Sequence, residues 1–123
     1  MQLDHHLILA LFHIFLVVPL FFAIAFFKSD LPSWAFHGLL ALGIFVLLYH
    51  GYKFLVRYNS NSSYMWVNAI HVAIVAPLLI YIGLKQKETA RAAYEICIMV
   101  GSAVLGYHTY SLIKQVNVVP ESS

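Results

Sequence analysis

Apolar and polar positions alternate along this chain on a long wavelength. Four apolar runs, from Leu7 to Phe27, Trp34 to Val56, Met65 to Leu84 and Ala92 to Ile113, are separated by the joints "KSDLPS", "RYNSNSSY" and "KQKETAR". Each run is about 20 residues or slightly longer, which at about 1.5 Å per residue crosses a hydrocarbon core of roughly 30 Å. The joints collect the Lys, Asp, Glu, Ser, Asn and Pro that belong at membrane surfaces and turns. The pattern predicts an all-α membrane protein with four transmembrane helices and one membrane bundle over residues 1–123. The tail "VNVVPESS" is expected to be loosely ordered.

The runs are not independent. Sliding the chain by 58 positions lays residues 7–59 on residues 65–117 without a gap. In the first helix of each copy His13 meets His71, Val17 meets Val75, Pro19 meets Pro77, Leu20 meets Leu78 and Ile24 meets Ile82. In the second, Ala35, Gly43, Val46, Leu47, Tyr49, His50 and Tyr52 meet Ala93, Gly101, Val104, Leu105, Tyr107, His108 and Tyr110. Apolar sequences match by chance at Leu and Val, but rarely at two His, a Pro, a Gly and two Tyr. The unit is a helical hairpin used twice, 7–59 and then 65–117. Two crossings return the chain to its starting side, so the two tandem hairpins form a parallel repeat. Both termini and "NSNSS" then share one face of the membrane, face A, and the other two joints lie on face B.

The matched positions also predict the inner surfaces. His13, Val17, Leu20 and Ile24 step by four, three and four along one helical stripe, and Gly43, Val46, Leu47 and His50 form another. Left-handed four-helix packing follows, with Gly43 and Gly101 allowing close approach. By position along their helices, His13, His50, His71 and His108 all fall roughly 9 Å below face A. Tyr49, Tyr52, Tyr107 and Tyr110 surround that level, and Lys53, Arg57 and Lys114 cap it. Pro19 and Pro77 each remove a helical hydrogen bond and are expected to kink their helices.

Composition narrows the solvent rather than the function. The chain is 62% hydrophobic and 10% charged, with a mean hydropathy of +0.82, against about 25% charged for soluble domains. A net charge of +2 is too small to argue for nucleic acid. Cys97 is the sole cysteine and forms no internal disulfide. "AIA" at Ala23 to Ala25 resembles a signal cleavage site, but "MQLDHH" lacks a positive leader and the apolar run is long, so the first segment is expected to stay as a spanning helix. Three Lys/Arg on face A against four on face B do not orient the protein. "NSS" at Asn61 fits a glycosylation acceptor.

Three readings of the histidine layer follow. Polar groups at membrane depth face the bundle interior, and imidazoles can pair with tyrosine hydroxyls across helices; this packing role is the reading adopted, with no cofactor and no metal. A second is haem b or another metal held by His13, His50, His71 and His108, since pseudo-symmetric histidines can take an iron from both sides and four imidazoles can hold zinc. No carboxylate stands nearby to orient the rings. The third is a small proton or ion channel, although the apolar residues between the layer and face B would seal it. No catalytic residue is assigned: the chain has no phosphate-binding loop, no nucleophile beside a base and no carboxylate pair. Asp4, Asp30, Glu88, Glu95 and Glu121 are scattered at the two surfaces.

The second copy, "HVAIVAPLLIYIGLKQKETARAAYEICIMVGSAVLGYH", resembles a family of short, multi-spanning hydrophobic proteins encoded by large DNA viruses of algae and related hosts. The shared features are the His71-to-Pro77 spacing, "PLLIYIG", the Lys- and Thr-containing joint and the closing "GYH"; the first copy has "PLFFAIA" and a proline, Pro32, in its joint. The resemblance implies a virus-encoded structural protein of a virion inner membrane, contacting minor or major capsid proteins and lipid, and the Phe- and Leu-rich outer helix faces are suited to self-association in the membrane. It implies no catalytic residue.

Overall fold

In the computed structural model the backbone is described for residues 5–118 and the side chains for residues 7–114. Asp4, Glu121 and the tail beyond residue 118 lie outside the described residues, as does the side chain of Asn117. Four helices are long and apolar enough to cross a membrane: Leu7–Asp30, Ser33–Asn59, Met65–Glu88 and Arg91–Lys114. The chain is all-α over its described residues and has the architecture of an integral, multi-pass membrane protein. The second helix continues through "RYN" of its joint, so the turn between the second and third spans shrinks to residues 60–64.

The 58-residue offset is written into the backbone. A π-helical turn occupies His13–Val17 and another His71–Val75. In each, the residue just before the proline donates five residues back instead of four: Val18 to the His13 carbonyl and Ala76 to the His71 carbonyl. Pro19 and Pro77 follow one residue later and cannot donate. The wide turn is how each helix absorbs the missing bond, as π-turns do inside α-helices. At face B the first and third spans end in short 3-10 turns, Lys28–Asp30 and Gln86–Glu88. Lys28 and Gln86, also 58 apart, both take φ 51°, a positive φ that glycine adopts more readily than other residues.

The helices form two compact units, one of Met1–Phe27 with Tyr94–Ser123, the other of Lys28–Ala93. Each unit therefore joins a histidine-proline helix from one copy of the repeat to a glycine-tyrosine helix from the other. Both copies carry both kinds of surface, so pairing across copies is chemically equivalent to pairing within one.

Within the second unit the second and third spans run antiparallel. A Cβ added at Gly43 would lie 2.8 Å from Ile80 Cγ1 and 2.9 Å from the Ile80 backbone nitrogen. At Gly83 it would lie 2.7 Å from the Leu40 nitrogen and Cβ. Leu79 and Ile82 are fully buried beside these crossings. In the first unit Gly101 meets Phe22 and Phe21, at 3.1 and 3.4 Å from an added Cβ. Phe22 and Phe21 stand 58 positions before Ile80 and Leu79, so one interface is built twice. The expected inner stripes hold for Gly43, Val46 and His50 and for Gly101, Val104 and His108, all buried or half-buried; Leu47 and Leu105 are instead exposed, at the edge of their stripes.

Candidate functional site: two histidine pairs

The histidines meet in pairs, one in each unit. His50 stacks on His71 with ring centroids 3.9 Å apart and planes within 11°. His13 stacks on His108 at 4.5 Å and 22°. In sequence the pairs are copies of each other, since His13 corresponds to His71 and His108 to His50. The helix that carries the glycine also supplies a tyrosine beside its histidine: Tyr49 packs edge-on to His50 and Tyr107 edge-on to His108, both at 5.1 Å.

Hydrogen bonds fix the rings. His13 Nδ1 donates to the Leu9 carbonyl at 2.8 Å, and His71 Nδ1 to the Val67 carbonyl at 2.7 Å. Each ring reaches back one turn along its own helix, just ahead of the π-turn. The tyrosine hydroxyl expected as the partner of these nitrogens is replaced by a backbone carbonyl. A carbonyl four residues back is already in place when the helix forms, whereas a tyrosine must be brought in by packing.

The second unit adds two residues. Arg57 Nη1 donates to Asn68 Oδ1 at 2.7 Å, and Asn68 Nδ2 donates to His50 Nδ1 at 2.8 Å. Asn68 is 2% exposed and is the buried polar residue among those described. Sequence reasoning gave Arg57 only a capping role and passed over Asn68. The signal was present: Asn68 lies three residues before His71, on the inner stripe that continues through Val75, Leu79 and Ile82. The repeat hid it, because Ala10 occupies the corresponding position in the first copy.

The pairs can hold two helices in register. Whether either pair can share a metal is decided by ring geometry. A bound ion must lie in the plane of each imidazole, about 2.0 Å from its nitrogen. Stacked rings, with centroids 4.5 and 3.9 Å apart and planes within 22° and 11°, point their lone pairs along nearly parallel planes, so the lone pairs do not converge. Neither pair, as arranged, fits an iron or zinc between its two rings. Among the described residues, no group of three or more His, Cys, Asp and Glu side chains is placed to hold an ion.

No family model, curated protein or solved structure matches this chain.

Proposed function

We propose that this protein is a structural component of a viral inner membrane, working by embedding in lipid and docking to capsid proteins rather than by turnover. The observation that supports this reading is where the side chains are spent. The histidines at membrane depth join helices to one another, while the outer surfaces are left strongly apolar. Phe15, Phe26, Leu48 and Met99 are each more than 60% exposed, a surface suited to lipid tails or to neighbouring apolar helices. The viral assignment rests on the resemblance of the second copy to small membrane proteins of large DNA viruses.

Among the described residues, the parts outside the apolar helices are short joints. Contacts that small are weak singly, so docking to a capsid lattice requires many copies at fixed spacing. The test is quantitative mass spectrometry of purified virions with maps of the inner capsid. Many copies per particle, in register with the shell, are expected. Absence from mature particles overturns the reading.

A further inference from the structure

The Arg57–Asn68–His50 chain has a directionality that the packing role does not require. An amide offers one oxygen that only accepts and one nitrogen that only donates. Arg57 can only donate, so it takes the Asn68 oxygen. The nitrogen is thereby turned to His50, and a hydrogen bond at that contact needs a lone pair on His50 Nδ1. Rotating the amide by half a turn brings its nitrogen against the Arg57 guanidinium, donor against donor. His50 is thus held as the Nε2–H tautomer. Its stacking partner His71 has the opposite one, because its Nδ1 donates to the Val67 carbonyl.

We infer that Arg57, Asn68 and His50 form a proton-sensitive latch between the second and third spans at the face A end of their unit. Proton uptake at His50 Nδ1 and the intact chain exclude each other, since a protonated Nδ1 would face the donor-only Asn68 nitrogen, and turning the amide would set that nitrogen against Arg57. The bond exists only with Nδ1 deprotonated, so its contribution is present at high pH and lost as pH falls. Within this unit His50 faces Asn68 and His71 from the third span. Arg57 lies beyond Asn68, Tyr49 packs against the ring edge, and Lys53 lies one turn along the same helix. Arg57 and Lys53, the two cations on this helix, add no acceptor for an extra proton. The first unit carries Ala10 and Gln115 where the second has Asn68 and Arg57, so the amide latch belongs to the second unit alone. This inference goes beyond the structural role and does not depend on the viral assignment.

The test uses the full chain in detergent micelles, with nitrogen NMR of labelled histidine and amide hydrogen exchange at pH 8 and pH 5, which bracket the ordinary histidine range. At pH 8, His50 is expected to carry its proton on Nε2 and His71 on Nδ1. At pH 5, exchange over residues 64–70, corrected for the intrinsic effect of pH, is expected to quicken about tenfold, in line with loss of a charge-assisted chain. Asn68→Asp supplies two acceptor oxygens, one for Arg57 and one for a protonated His50, so its protection should be greater at pH 5 than at pH 8. Asn68→Leu should abolish the difference; if that variant does not fold, the wild-type tautomers and the Asn68→Asp sign decide alone. A proton on His50 Nδ1 at pH 8, equal wild-type protection at the two pH values, or the same sign in Asn68→Asp as in the wild type would each overturn the latch.

Discussion

Tyr94 shows how a duplicated position diverges at the scale of one residue. It stands 58 positions after Phe36, and both rings are buried, Phe36 completely. The Tyr94 hydroxyl is buried as well and has no hydrogen-bond partner among the described residues. An unsatisfied buried hydroxyl costs about 1–3 kcal/mol, and phenylalanine already fills the matching site in the other copy. Tyr94→Phe should therefore stabilise the protein by about 1 kcal/mol, measured by equilibrium unfolding in mixed micelles. Destabilisation would show that the hydroxyl is satisfied in the folded protein. Asn68 is the opposite case: a buried polar group with both ends of its amide engaged, which makes the contact directional as well as attractive.

At the scale of the helix, the glycines separate into two kinds. Gly43, Gly83 and Gly101 sit where another helix passes within contact distance, whereas Gly38, Gly51 and Gly106 have nothing within 4 Å of an added Cβ. In lipid, helices associate through close packing rather than through hydrophobic exclusion, and small residues let backbones approach. Gly83 is the tightest crossing, because the Leu40 atoms it meets at 2.7 and 2.8 Å include backbone nitrogen and Cα, which cannot rotate away. Gly83→Ala should cost about 1–3 kcal/mol by forcing the second and third spans apart. Gly51→Ala should be neutral or slightly stabilising, since alanine is the better helix former. The same unfolding assay compares them; equal effects would mean that the crossing relaxes freely. Gly83 escaped the repeat analysis because Ala25 stands opposite it in the first copy, so only the crossing marks it as necessary.

If all four apolar helices cross the membrane, the "NSNSS" turn falls on the same face as the end of the last helix and the two 3-10 joints fall on the other. Reporter fusions after Ser33, after Ser62 and at the carboxyl end should therefore read face B, face A and face A. A carboxyl end opposite to the Ser62 fusion would remove one span from the count. The face B joints are tied together within the second unit, where Lys87 Nζ donates to the Ser29 carbonyl at 2.7 Å. Thr89 Oγ1 closes its own turn on the Gln86 carbonyl, and the Ala90 amide donates to the Tyr81 hydroxyl. These bonds give the positive-φ residues Lys28 and Gln86 a fixed setting at the ends of their helices.

Hydropathy alone determined the four helices, because a run of about 20 apolar residues has no stable alternative to a helix in lipid. Periodicity and the 58-residue offset determined the inner stripes and singled out His13, His50, His71 and His108, since identical residues at matching turns occupy matching surfaces. Which histidine meets which was decided by tertiary structure. Each copy offers both complementary faces, so the sequence cannot distinguish pairing within a copy from pairing across copies, and the fold takes the latter. The partners of the rings were decided there too. Residues 50, 57 and 68 lie on two different helices, and only their antiparallel register brings an arginine, an amide and an imidazole into one line.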